Sequence, residues 1–352
     1  MFDLKTHLKS LVEAHGPSGH EAPIRAILTE AWQTLTDTTE TDRLGSFIGI
    51  KRATLASDTP RRIMLAAHID EIGMLVTDII DGFLMIRRIS GVDNRLMLTQ
   101  TVLVHGRQPL PGIVASVPPH LLTEDKRGQY PTWEELVVDV GLPAEEVASL
   151  VRVGDRVTVD TPMLELMNNK VAAKAMDDRA CVAIMSSCLN ELRLLQHRWD
   201  VYAAATVQEE TGLYGAETAA YKIAPDIAIA LDVGFARQPG VDADVSGDFN
   251  AGPLIGIGPN FHEKLNARLR DTAKKYEIKI QDDPLPGHSG TDAWPIQISV
   301  EGIPTALLSL PLRNMHSPNE TADLRDIERT GRLLALFIAS LDDDFMTALN
   351  WD

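Results

Sequence analysis

Apolar residues Leu4, Leu8, Leu11 and Val12 recur at helical spacing, so the chain begins with an amphipathic helix. Gly16, Pro17, Ser18 and Gly19 in GPSGHE then read as a turn before a second helix running through about Leu35. FIGIKR is strand-like. In RRIMLAAH the residues Ile63, Met64, Leu65, Ala66 and Ala67 form one continuous apolar run, the pattern of a strand buried on both faces. After Gly73 the texture changes: short strand-like runs (MLVTDI, GFLMIRRI, TVLVHG, GIVASV, DRVTVD) alternate with Gly, Pro and Asp turns, and only the acidic WEELVVDVG and PAEEVASLV pieces look helical. A small inserted β-barrel accounts for this stretch. Beyond about Pro162 the alternation of helix and strand returns. DRACVAIMSSCLNELRLL, GAETAAYKI, NARLRDTAKKYEI and LRDIERTGRLLALFIASL read as helices, and VYAAATV, IAIALDV and TALLSL as buried strands.

Strand and helix in alternation predict an α/β fold, with a mostly parallel sheet flanked by helices and interrupted by the β-barrel domain. Residues 1–72 and 164–352 then form one domain, and residues 73–163 the insert. A chain of 352 residues, 44% of them hydrophobic, is large enough for such a core. Its net charge of −17 and isoelectric point near 5.0 argue against nucleic acid or an anionic membrane as a partner, because like charge repels them. The first residues lack the apolar core of a signal peptide, and no segment is long and apolar enough to span a bilayer. The only cysteines, Cys181 and Cys188, lie seven apart in one expected helix, on one face but too distant to be bridged. A reduced, cytoplasmic setting is the expectation.

In an open parallel sheet, ligands collect where the strands end at their carboxyl side. RIMLAA runs into His68, Ile69, Asp70 and Glu71, and VYAAATV into Gln208, Glu209 and Glu210. IAIAL runs into Asp232, and TALLSL is followed shortly by His316. Lys174 to Arg179, with Asp177 and Asp178, sits just ahead of a helix. Singly each has an ordinary reading: a structural histidine, a solvated acidic loop, a helix cap. Together they place two imidazoles and at least three carboxylates on one rim, and carboxylates without countercharge would cost several kcal/mol. Bound divalent metal removes that cost.

Imidazole mixed with carboxylate, and no thiolate, suits zinc, cobalt or manganese. Five ligands exceed what one open catalytic zinc needs, whereas two ions sharing one carboxylate use all five. Two such ions polarise a carbonyl and lower the pKa of water, which is the chemistry of metal-assisted hydrolysis. Asp70, two residues past His68 on an extended segment, projects to the same side and is placed to fix the imidazole tautomer. Neighbours Glu209 and Glu210 cannot both point the same way in extended backbone, so one is free to ligate while the other moves a proton.

HID at 68–70, KAMDDRA at 174–180, QEETGLYGAE at 208–217, LDVG at 231–234, GTDA at 290–293 and HSPNE at 316–320 resemble, in order and spacing, the M42 family of dinuclear metallo-aminopeptidases, the tetrahedral aminopeptidases. GPSGHE and HGRQPLPGIVAS are similar to the family too, so the resemblance covers nearly the whole chain. It implies two divalent ions per subunit, zinc or cobalt or manganese. His68 and Asp232 would hold one and Glu210 and His316 the other, with Asp177 bridging through an unusual Asp177–Asp178 peptide. Glu209 would be the general base, Asp70 the residue that orients His68, and GTDA a loop near the substrate's amino end. His288 has no confident counterpart. The resemblance further implies short peptides as substrates, a zinc-peptidase-like catalytic domain, a β-barrel used in dimerisation, and homo-oligomers up to a hollow tetrahedral dodecamer.

Some similar proteins carry a cellulase or endoglucanase label, but glycoside hydrolysis needs two carboxylates beside a sugar and no pair of histidines. GHSGT has a superficial likeness to a serine nucleophile elbow, yet it lacks the final glycine and no buried strand runs into it. A catalytically silent assembly subunit would lack a ligand or the base, and none is missing.

Overall fold

The computed structural model describes residues 2–57 and 59–349. Its main sheet has eight strands, in the spatial order Thr38–Thr41, Phe47–Lys51, Asp200–Thr206, Arg62–His68, Ile227–Phe235, Thr305–Leu312, Leu254–Ile257 and Gln281–Pro284. The four central strands, from Asp200–Thr206 to Thr305–Leu312, run parallel; Phe47–Lys51 pairs antiparallel to Asp200–Thr206, and Thr38–Thr41 antiparallel to Phe47–Lys51.

Continuous apolar runs make these central strands because both faces are covered. Ile63, Leu65 and Ala67 enter the core beneath the helices Leu4–Glu13, Ala22–Trp32, Met176–Glu191 and Leu324–Ala339, while Met64 and Ala66 enter the core on the opposite face. The second core is built largely of small residues, with Ala204, Ala228 and Ala230 meeting Ala216, Ala219 and Ala220 of the helix Tyr214–Ile223. The central helix Met176–Glu191 is buried almost all round. Ser186 on it bonds the Trp32 indole N–H at 2.8 Å and lies 2.9 Å from His7 Nε2, which fixes both N-terminal helices against it.

Six strands between Gly73 and Val159 close into an antiparallel barrel around Val76, Ile86, Val104, Val138 and Val157. One expectation fails here. In WEELVVDVG, Trp133–Glu135 is a single 3-10 turn and Val137–Asp139 is a barrel strand, paired with Phe83–Ile89 on one side and Pro109–Ala115 on the other. The acidic residues that looked helical sit in the turn before the strand, and Val138 faces the barrel core. PAEEVASLV does form a helix, Ala144–Leu150.

A three-stranded sheet of Leu164–Leu166, Lys170–Ala173 and Glu320–Asp323 had no counterpart in the sequence reading. It pairs Ala173 with Glu320 just before the Asp177 loop. Both cysteines are free and buried. Among the described residues, no helix is long and apolar enough to cross a membrane.

Candidate metal centre

Parallel pairing sets the rim. Thr206 is in register with His68, so the Asp200–Thr206 strand delivers Glu209 and Glu210 beside the end of Arg62–His68. Asp232 lies within the neighbouring strand Ile227–Phe235, two residues past the Ala230–Ala66 pair, and not at its end as the sequence suggested, and His316 follows Thr305–Leu312. All five residues read as metal ligands, together with Glu209, line one cavity of about 720 Å³.

Asp177 lies at the middle of the cluster. Its Oδ1 is 3.1 Å from His68 Nε2 and its Oδ2 is 3.2 Å from His316 Nε2, so one carboxylate spans both imidazoles. Glu210 Oε1 is 3.5 Å from His316 Nε2, and Glu209 Oε2 is 3.8 Å from His68 Nε2. The chain is not extended at this pair, because Gln208 takes a left-handed φ of 56°. Both carboxylates therefore reach the cluster, one towards each histidine. Ala175 and His316 also have left-handed backbone, at 54° and 59°, and such conformations in non-glycine residues cluster at functional sites. The Asp177–Asp178 peptide is cis.

The part expected of Asp70 changes in detail. His68 Nδ1 lies 3.1 Å from the Asp70 main-chain oxygen and 3.5 Å from its carboxylate. A carbonyl oxygen can only accept, so Nδ1 carries a proton, and Nε2 is the nitrogen that faces Asp177 and would be offered to a metal. The Asp70 carboxylate is engaged elsewhere. It accepts from the Ser18 hydroxyl at 2.6 Å and from the Glu209 and Glu210 N–H groups at 3.0 and 3.2 Å, so it positions the glutamate loop as well as the histidine.

Several site residues escaped the sequence reading. Glu320, fully buried, accepts from the Asp177 N–H at 3.0 Å and the His316 N–H at 2.7 Å, bracing the middle of the cluster. Its position in HSPNE, within the motif that supplies His316, was the available signal. Ser90, in the barrel, donates to Glu210 Oε2 at 2.7 Å, and Gly91 lies against the His316 ring. Nothing in the sequence joined that loop to the site. Asp178 is buried beneath His68, where it accepts the His68 N–H at 3.2 Å. Asp292 of GTDA is buried and bonded to Thr206 at 2.5 Å, while Thr291 beside it lines the cavity. His288 is exposed and lines the cavity, packed on Trp294 with ring centroids 4.1 Å apart, and belongs to none of the donor sets.

The electrostatics mark an excess of carboxylate. Burial, reinforced by neighbouring acids, pushes Glu209 up to about 10 and Glu210 up to about 7, and holds Asp178 and Asp232 well above the usual carboxylate range. Burial opposes charge on His68, yet Glu209, Asp177 and Asp70 hold its imidazole well above normal. The hydrogen bond to Asp177 takes His316 up to about 9. Burial likewise opposes charge on Asp177, but the two imidazoles keep it below its ordinary value. Asp178 Oδ1 and Asp292 Oδ1 are buried with no hydrogen-bond partner.

Three sets of donors lie close enough to hold an ion, each with its atoms within 4.8 Å of one another: His68, Glu209 and Glu210; His68, Asp178 and Asp232; Asp177, Glu210 and His316. Mixed imidazole and carboxylate donors with surplus negative charge fit divalent cations.

Comparison with known proteins agrees with this arrangement. The family model described as M42 glutamyl aminopeptidase matches residues 45–333. The lysyl aminopeptidase of Pyrococcus furiosus is 36% identical over 340 residues, spanning 95% of this chain and 96% of that protein. The crystal structure of a TET aminopeptidase from the marine sediment archaeon Thaumarchaeota archaeon SCGC AB-539-E09 superposes with a TM-score of 0.92 at 31% identity, covering 99% of both chains. The TET1 peptidase of Pyrococcus horikoshii, described as assembling into a tetrahedron or a large octahedral shell, superposes with a TM-score of 0.85 at 29% identity over 96% of this chain and all of that one. With a match over most of its length, this chain belongs to the M42 family of peptidases.

Proposed function

We propose that the protein is a metal-dependent aminopeptidase that removes N-terminal residues from short peptides, with two divalent cations, zinc, cobalt or manganese, in each subunit. The observation that carries the reading is the Asp177 carboxylate set between His68 and His316 at 3.1 and 3.2 Å, the disposition expected of a ligand shared by two ions. His68 and Asp232 would hold one ion and Glu210 and His316 the other. When bound, the ions supply Lewis acidity towards the scissile carbonyl and make water a stronger acid.

The chain's own groups do the rest. Glu209, whose carboxylate faces His68 at 3.8 Å, accepts a proton from the attacking water and returns it to the leaving amine. Asp70 fixes the main-chain N–H groups of Glu209 and Glu210 and, through its carbonyl, the His68 tautomer. The acid-rich rim favours the ammonium group of a free N-terminus. Residues 73–163 act as the dimerising insert, and the barrel also touches the site through Ser90. By likeness to the tetrahedral peptidases we place the subunits in a homo-oligomer, a dodecamer built from dimers. The two unbridged cysteines support a cytoplasmic location.

The test is initial hydrolysis rates over unblocked and N-acetylated aminoacyl p-nitroanilides, with protein stripped of metal and reloaded with zinc, cobalt or manganese. Metal-restored cleavage of the unblocked compounds alone supports the reading, and no cleavage under any of the three metals refutes it. Glu209→Gln should abolish turnover while metal content stays. A loss of metal in that variant would show that base and ligand have been exchanged between Glu209 and Glu210.

A further inference from the structure

The cavity that holds the metal cluster is also walled by apolar residues, among them Phe235, Val245, Leu285 and Leu307. One acid interrupts those walls. Asp283, on the edge strand Gln281–Pro284, lines the same cavity and is only 9% exposed. Its neighbour Asp282 projects to the other side of the strand, where Arg270 pairs with it at 2.7 Å. Asp283 has no such partner. Among the described residues no cation lies within ion-pair reach, and its one bond is a long contact of 3.4 Å from the Ser309 hydroxyl. Burial accordingly raises its carboxyl above the usual range. A buried carboxylate without a countercharge is unfavourable, and only the long Ser309 contact offsets this one.

Its position relative to the metal cluster is defined by Gly234. Gly234 follows Asp232 by two residues on one strand, so it shares that face and lies roughly 6.6 Å further along. A Cβ at Gly234 would stand 3.8 Å from Asp283 Oδ2, 3.5 Å from Leu254 Cδ1 and 3.1 Å from Ser309 Cβ, so the strand face that carries Asp232 runs up to the acid, and Gly234, Ser309 and Asp283 line the same cavity. An extended lysine stem is on the order of 6 Å from Cα to Nζ. Its methylenes suit apolar walls and its ammonium suits an unpaired carboxylate.

We propose that Asp283 is the specificity-determining residue of this site and selects peptides whose N-terminal residue is basic, lysine or arginine. The proposal rests on the aminopeptidase reading above. A glutamyl side chain would set carboxylate against carboxylate, and a leucyl side chain would seal Asp283 away still uncompensated, so both are disfavoured in the same pocket.

The test measures kcat/KM of the metal-loaded protein on lysyl, arginyl, leucyl and glutamyl p-nitroanilides, for the wild type and for Asp283→Asn. The wild type should favour lysyl and arginyl over leucyl at least tenfold and turn over glutamyl least. Asp283→Asn should lower the lysyl-to-leucyl ratio at least tenfold, chiefly through KM. In Asp283→Lys the lysyl-to-glutamyl ratio should fall further, by a gain on glutamyl that damage to the fold cannot produce. A wild type without basic preference, or an Asp283→Asn variant that slows all four substrates alike, overturns the proposal and leaves the aminopeptidase reading intact. Absence of cleavage of all four by the wild type removes both.

Discussion

A methyl group at Gly91 would lie 2.2 Å from His316 Nδ1 and 2.8 Å from Cε1, closer than atoms can approach. Either the imidazole or the Gly91 loop must shift, and both lie against the ligand cluster, so Gly91→Ala should lower kcat/KM at least tenfold and weaken metal retention, measured by initial rates and metal analysis after dialysis. Glu71 makes a different point, because it follows the site sequence HID and yet serves the fold. Its carboxylate accepts from Lys174 at 2.7 Å, the Gly16 N–H at 2.8 Å and Arg179 at 3.2 Å, all of them buried. Burial opposes its charge, but Lys174 and Arg179 hold it down to about 2. Burial and the Arg179 charge draw Lys174 down to about 8, so the two ends of the pair respond oppositely, and the acid limb belongs to Glu71 with its three donors. A carboxyl whose folded pKa lies below its unfolded value stabilises the fold above about 4.5 and loses that contribution as pH falls towards about 2. The shift corresponds to roughly 3 kcal/mol. Glu71→Gln should therefore lower the stability read from urea unfolding at pH 7 by about 3 kcal/mol, and flatten the decline below pH 4.5.

At the scale of elements, the helices Met176–Glu191 and Leu324–Ala339 come into close contact at Gly331. A Cβ there would meet Ser187 Oγ at 2.7 Å, Ser187 Cβ at 2.8 Å and the Ile184 carbonyl oxygen at 3.1 Å. Replacing an interior helical glycine by alanine gains about 1 kcal/mol of helix propensity, whereas overpacking costs about 1–3 kcal/mol. A main-chain oxygen cannot yield as a side-chain tip can, so the clash wins. Gly331→Ala should be net destabilising by about 1 kcal/mol, seen as a lower Tm with a near-normal substrate KM. Strand identity was legible at this scale wherever both faces are buried: Arg62–His68, Asp200–Thr206, Ile227–Phe235 and Thr305–Leu312 coincide with the four apolar runs. Val137–Asp139 was misread because it is three residues long and follows an acidic turn, leaving too short a pattern to show its period. Leu164–Leu166 was missed because it is three residues long and exposed throughout, and Glu320–Asp323 because it pairs with the sequence-distant Lys170–Ala173.

For the whole molecule, the concentration of buried acids around His68 and His316 couples folding to metal. Ligand bound only to the folded state stabilises by about 2.7 kcal/mol at a hundredfold excess over Kd. Chelator-treated protein should thus melt at a lower temperature, and zinc or cobalt should restore the transition in a concentration-dependent way. An unchanged Tm across that titration would contradict a metal centre. The proposed dodecamer predicts a light-scattering mass about twelve times the 38.6 kDa of the chain, and a monomer or dimer would refute it. The sequence by itself determined the α/β core, the barrel-like texture of the insert, and the set of ligand-type residues at the strand ends. Those properties follow from local periodicity and from the rule that parallel strands deliver their ends to one rim. Only the tertiary structure decided that Asp177 spans two histidines, that Asp70 grips the glutamate loop, that Glu320 and the barrel's Ser90 brace the cluster, and that Asp283 rather than Asp282 faces the cavity. Each of these depends on the register and docking of segments far apart in the chain, and such contacts leave no periodic trace in the sequence of either partner.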